Sequence, residues 1–117
     1  MKTETIELYL DECGVAPGPW EVEIPDEDWI QINGINRAMH SPEWANSDEW
    51  ENDLANSHVM AASREMLVAL ILGALAFENM RVFEDRDYYT RIIESALPGR
   101  TWPEIKARLE EIEEEEK

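Results

Sequence analysis

Residues 20–24 read Trp-Glu-Val-Glu-Ile, a strict alternation of apolar and acidic positions. A period of two is that of a strand, with Trp20, Val22 and Ile24 on one face and Glu21 and Glu23 on the other. Pro25 to Asp28 predicts a turn, and Trp29-Ile30-Gln31-Ile32 predicts a second strand ending at Asn33-Gly34, so the two form a hairpin. A two-stranded hairpin alone is marginal in water and must pack on something. Upstream, Thr3 to Cys13 predicts a short helix with Gly14 just past its end. Between helix and hairpin, Val15-Ala16-Pro17-Gly18-Pro19 forbids regular structure and marks a boundary.

Downstream the period changes to that of helices. Ser41 as cap with Pro42 in the first turn predicts a helical turn through Trp44 and Ala45, and Ser47 or Asp48 then caps a longer helix. That helix runs through Leu54, Val59 and Met60 to about Phe77 or Met80, with an interruption expected near Ser63. From Met66 to Phe77 almost every face is apolar, which predicts a helix surrounded by protein and the core of the fold. Gly73 within it costs about 1 kcal/mol against Ala unless it lets another backbone approach closely, so close packing is expected there. Asp85 or Asp87 opens the next helix, with Tyr88, Tyr89, Ile92, Ile93 and Leu97 at helical spacing before Pro98-Gly99. In the last helix Thr101 and Glu104 form a capping box, Pro103 sits in the first turn, and Ile105, Leu109 and Ile112 make one stripe. Glu113 to Glu116 repel one another at the negative end of that helix and predict fraying. The expected fold is α+β: a mainly helical small domain with an N-terminal β-hairpin packed on a central apolar helix. One acidic domain is expected over residues 1–112, with an acidic tail over 113–117.

Charge changes this picture. Twenty-seven acids against ten bases give −17, and fourteen of the acids precede Ser57, where Lys2 and Arg37 are the only bases, leaving twelve net negatives in that half. Such a charge favours solubility and fast capture of positive partners at the expense of self-repulsion. A hydrophobic share of 44% nevertheless belongs to a folding chain rather than a disordered one. A lone cysteine, Cys13, and a start without a basic-then-apolar leader lead us to expect a reducing interior, the host cytoplasm. The uncharged run Met66 to Phe77 falls far short of the roughly 20 residues that span a bilayer, so no membrane span is expected.

Two segments carry a resemblance. Ala16-Pro17-Gly18-Pro19-Trp20-Glu21-Val22 resembles the TPGPWxV opening of a widespread set of small, mostly uncharacterised bacteriophage and prophage proteins. Asn56 to Leu70, NSHVMAASREMLVAL, is similar to their NARLIAAAPELLEAL signature, in the same order and at about the same spacing. The chain departs at Arg64, where that set usually has proline, and at Val68, where it usually has glutamate. The helix is therefore expected to continue unbroken here, with its usual polar face turned apolar. The resemblance implies a phage or prophage origin and a hairpin-plus-helix module; it carries no activity, cofactor or site residue.

Catalytic chemistry has no candidate in this sequence. His40 and His58 stand eighteen residues apart, neither has a second His or Cys at metal-ligand spacing, and no nucleophile elbow, phosphate loop or HExxH pattern occurs. We therefore expect no enzyme, no cofactor and no metal. The acid clusters at Asp26-Glu27-Asp28 and Asp48 to Asp53 lack the alternating ligands and glycine of a calcium loop and read as solvated turns. Trp20 and Trp29 read as core residues beneath the hairpin. Trp44, Trp50 and Trp102, set among acids and prolines, are candidates for a binding surface, with helix packing as the alternative for each.

The acid excess itself has three readings: a solubility coat, an imitation of nucleic acid, or a shield for a basic partner. DNA presents a negative charge every ~1.7 Å of axis, and its binders grip it with Lys and Arg. The expectation is a non-enzymatic phage-encoded inhibitor of a host nucleic-acid-binding defence protein, of anti-CRISPR or anti-restriction type, acting by charge mimicry. The candidate partner-binding residues are Glu21, Glu23, Asp26, Glu27 and Asp28 on the hairpin. Downstream they continue with Trp44, Asp48, Glu49, Trp50, Glu51 and Asp53. The expected partner is a basic host protein that handles nucleic acid, with no direct binding to nucleic acid or membrane; a homodimer is compatible with this. The alternative is a structural or assembly protein that forms a homo-oligomer through its apolar helix.

Overall fold

The computed structural model describes residues 1–26, 29–35, 37–40 and 47–116, without the side chains of residues 26, 37, 39, 40, 47 and 48. The described residues form α1 (Thr3–Glu12), β1 (Glu21–Asp26), β2 (Trp29–Asn33), β3 (Arg37–His40), α2 (Ser47–Asn79), α3 (Phe83–Ala96) and α4 (Trp102–Glu115). This is a mainly helical α+β chain with an N-terminal hairpin and a long central helix. The chain groups into two compact units: residues 16–64, and residues 1–15 with 65–117.

In the sheet unit, β1, β2 and β3 form an antiparallel sheet in sequence order. The sequence pointed to two strands. Asn33-Gly34 reads as the end of a hairpin but is the turn into a third strand, and four residues are too few to announce it. Pro25 lies within β1 rather than in the turn, at a register irregularity between Glu23 and Asp26. That position is tolerated because β1 is an edge strand. In β2 the alternation is clear: Ile30 and Ile32 are buried, while Trp29 is 40% exposed. The expectation of Trp29 as core is therefore wrong, because the two isoleucines take the inner face and period two turns the tryptophan outward.

Trp20 is half-buried and held from two sides. Its indole N–H donates to the Ala16 carbonyl at 3.1 Å, and its ring lies on Gly34, where a Cβ would come within 2.5 Å of Trp20 Cδ1. Gly34 also has φ +104°, so a side chain there would be strained as well as crowded. The Ala16 carbonyl takes a second donor from the other end of the unit, Arg64 Nη1 at 3.2 Å. Arg64 is only 7% exposed, and its Cδ would lie 3.3 Å from a Cβ on Gly18. Thus the two segments that carry the phage resemblance meet in this unit. α2 runs without a break through both Ser63 and Arg64. Ser63 turns its hydroxyl back to the Met60 carbonyl at 2.7 Å instead of interrupting the helix.

The helical unit gathers α1, the last part of α2, α3 and α4 around one core. Ile6, Tyr9, Leu10, Leu67, Val68, Ile71, Ala74, Ile93, Leu97, Trp102, Ile105, Leu109 and Ile112 are its buried residues. The spacing 67, 68, 71, 74 shows that α2 buries one face. Met66 is 45% exposed and Ala69 and Ala76 are exposed, so the helix is not surrounded as its composition implied. At Gly73 the close packing is present, but what approaches is a side chain rather than a backbone: a Cβ there would lie 2.6 Å from Tyr89 Cε2.

Helix ends explain the connections. α1 closes on Gly14 (φ +85°), with Val15 N–H bonded to Leu10 O at 3.0 Å and Gly14 N–H to Asp11 O at 3.1 Å, a complete Schellman motif. α2 ends the same way, with Val82 N–H to Phe77 O at 2.8 Å and Arg81 N–H to Glu78 O at 3.1 Å, but Arg81 takes the left-handed place at φ 60°. α3 therefore starts at Phe83, ahead of the expected Asp85 or Asp87, and its first turn carries Glu84 and Asp85. At α4 the Thr101 hydroxyl donates to Glu104 Oε1 at 2.9 Å, and the free Trp102 N–H is taken by Glu94 Oε2 of α3 at 3.1 Å. α4 extends to Glu115, beyond the expected fraying point, and Thr5 Oγ1 donates to Glu116 Oε2 at 2.9 Å.

Candidate partner-binding surface

All eleven candidate residues belong to the sheet unit, residues 16–64. That unit holds ten acids against Arg37 and Arg64, a net −8 over 49 residues; the helical unit carries seventeen acids and eight bases, a net −9 over 68. The sheet unit is thus the more densely negative of the two.

The register fixes what its outward face carries. Directly paired residues point to the same side of a sheet. Glu21 pairs with Asn33, Glu23 with Gln31, and Gln31 with Ala38, while Val22 pairs with Ile32 on the buried side. Glu21, Glu23, Trp29 and Ala38 are exposed. Glu21 and Glu23 are therefore on an open face as expected. The same face carries Trp29, which the sequence reading assigned to the core. The missed signal was the pair Ile30 and Ile32, which fixes the inward side of β2 and sends Trp29 outward.

Of the downstream candidates, Glu49 and Glu51 are exposed and Trp50 and Asp53 are half-buried on the first turns of α2. Acids at that end also complement the helix dipole, which is a structural reason for them. The Asp53 carbonyl accepts the buried Ser57 hydroxyl at 2.8 Å. Asp48 opens α2, and Asp26 ends β1 opposite Trp29. Glu27, Asp28 and Trp44 lie outside the described residues, as does the predicted helical turn from Ser41 to Ala45. Trp102 is not a surface residue: it is 6% exposed and belongs to the helical core, because the residue at the start of α4 turns inward with Ile105.

Several charges of the helical unit are paired. Glu78 receives Lys106 Nζ at 2.7 Å and Arg86 Nη1 at 2.9 Å. Lys106 first, then Arg86, hold its carboxyl below the usual carboxylate range against the opposing effect of burial. The Trp102 indole N–H lies close enough to reinforce this but makes no hydrogen bond of good geometry. These groups line a cavity of about 490 Å³ with Asp87, Thr90, Glu94 and Glu110. Arg108 bridges Glu12, Glu111 and Glu115, and its hydrogen bond lowers the Glu12 carboxyl pKa. Burial, then Cys13, pushes the Tyr9 hydroxyl upward. Among the described residues no group of three or more His, Cys, Asp or Glu could hold a metal ion.

One further property of α2 bears on the membrane expectation. By length and composition alone, residues 49–79 would suffice to cross a membrane, although Arg64 and Glu65 sit at the middle of that stretch. No family model matches this chain, and no curated protein and no solved structure matches it.

Proposed function

We propose that this protein is a non-enzymatic acidic inhibitor that occupies the nucleic-acid groove of a basic host protein, of the kind that defends against phage. The observation that carries this reading is the sheet unit's imbalance of ten acids to two bases, with Glu21 and Glu23 displayed on an open sheet face. A solubility coat requires no such concentration. A surface competing for Lys and Arg that otherwise grip phosphates does require it.

The test is affinity capture from bacterial lysate at low and at high salt, with wild type and an Asp26→Lys, Glu27→Lys, Asp28→Lys variant. Nucleic-acid-handling proteins retained by the wild type, released as salt rises and lost with the variant, support the proposal, since exposed charges are screened. Partners retained equally at high salt and by the variant would sink it.

A second reading, a homo-oligomeric assembly protein, has its own observation: α2 exposes Val59 at 60%, Met60 at 43% and Met66 at 45%. Sedimentation at micromolar concentration decides it, and a monomer throughout removes it.

A further inference from the structure

Resting on the charge-mimicry reading, we infer that the outward face of the β1-β2-β3 sheet is the docking surface, and that Trp29 with Glu21 and Glu23 receives arginine side chains from an arginine-rich segment of the partner.

The register brings these groups together. Glu23 stands directly opposite Gln31, and Trp29 is the next residue along β2 on that same face, so Glu23 and Trp29 are diagonal neighbours. Diagonal neighbours in an antiparallel pair stand roughly 7–8 Å apart, within reach of one long side chain laid between them. Glu21 continues the row opposite Asn33. Two exposed carboxylates beside a 40% exposed indole give complementary charge and an aromatic surface in one place. A guanidinium suits both: it pairs with a carboxylate through two parallel N–H groups and stacks on an aromatic face, whereas an ammonium acts as a point charge. The inner face is excluded because Ile30 and Ile32 are buried.

Three features keep this apart from a diffuse acidic coat. Glu21 and Glu23 lie on the regularly paired stretch of β1, opposite Asn33 and Gln31, so these two carboxylates hold a fixed spacing. The exposed tryptophan has no role in solubility. The helical unit's acids at Glu12 and Glu78 are already bound by Arg108, Lys106 and Arg86.

The experiment is an amide NMR titration of the full chain with a nona-arginine peptide, and separately with nona-lysine, at low and high salt. Shifts concentrated in residues 21–33, with nona-arginine binding tighter than nona-lysine, support the inference without any variant. Trp29→Ala is expected to weaken nona-arginine binding roughly two- to fivefold, the worth of an exposed cation–π contact. Trp29→Phe, which keeps a ring, should fall between. Glu21→Gln with Glu23→Gln should weaken binding more than Glu84→Gln with Glu110→Gln, which removes the same charge from the helical unit. If both glutamate pairs act equally and Trp29→Ala changes nothing while binding stays salt-dependent, this face is wrong and charge mimicry survives. If the wild type shows no salt-dependent binding of nona-arginine, both fall.

Discussion

The ring of Tyr89 lies on Gly73, so that a Cβ at position 73 would sit 2.6 Å from Cε2 and 3.0 Å from Cδ2. The ring cannot easily withdraw, because Phe77 meets it edge-on with centroids 5.1 Å apart. Gly73→Ala gains about 1 kcal/mol of helix propensity but overpacks the contact, which costs about 1–3 kcal/mol. We expect a net loss in urea denaturation. Restoring space with Tyr89→Ala in the same chain should make the alanine favourable, so the sign of the Gly73→Ala effect reverses between the two backgrounds.

Arg81 occupies the left-handed place that ends α2, at φ 60°. An L side chain there costs roughly 1–2 kcal/mol relative to a residue without a Cβ. Arg81→Gly is therefore expected to raise the thermal midpoint by several degrees, read by circular dichroism. No change would mean that the Arg81 side chain compensates for its own strain.

Glu78 makes stability depend on acid. Its carboxyl titrates below its ordinary value in the folded state, with Lys106 the largest cause. The unfolded chain thus binds its proton first, and the stabilisation is fully present above about pH 4.5 and is lost as pH falls through the lower folded value. Wild type should lose stability steeply below that point. Glu78→Gln should be less stable near neutrality and show a shallower fall in acid, measured by urea midpoints from pH 7 to pH 3.

α4 borrows its cap from another helix. Glu94 Oε2 accepts the Trp102 N–H at 3.1 Å, and the Thr101 side chain is engaged with Glu104. Glu94→Ala should cost about 1 kcal/mol, the usual worth of a lost N-cap, whereas Thr101→Ala should cost less. Equal losses would show that the capping box, not Glu94, closes the helix.

Arg64 tests the departure from the phage-like signature. Proline at this position, inside a continuous helix, removes a backbone bond and clashes with the preceding turn, at ~3 kcal/mol or more. Arg64→Pro should lower helical ellipticity and destabilise the chain strongly. A variant as stable as wild type would mean that α2 tolerates a kink here.

These positions also show why part of the fold was legible and part was not. α1 with Gly14, the hairpin alternation and the α4 stripe follow from spacing within a few residues, and each is present. The break between α2 and α3 was legible near Met80, but the start of α3 at Phe83 was missed because arginine stands where glycine would have marked the turn. β3 was hidden because four residues carry too little pattern. The division into two units depends on contacts between distant segments, which no local period encodes. The inward turn of Trp102, by contrast, was legible in its helical spacing from Ile105, Leu109 and Ile112. On the candidate surface, the acid concentration was legible from counting. The outward Trp29 needed the register, and the register rests on which strand residues are buried.

The Ala16 carbonyl accepts from both Trp20 and Arg64. Its two lone pairs are thus served from two distant places in the chain, and losing either donor still leaves the oxygen partnered. For that carbonyl, single replacements at Trp20 or Arg64 will understate its importance, and the penalty of leaving this half-buried acceptor without a protein donor emerges only when both donors are gone. Either position can therefore drift while the other holds, so tolerance at one site is conditional on the residue at the other.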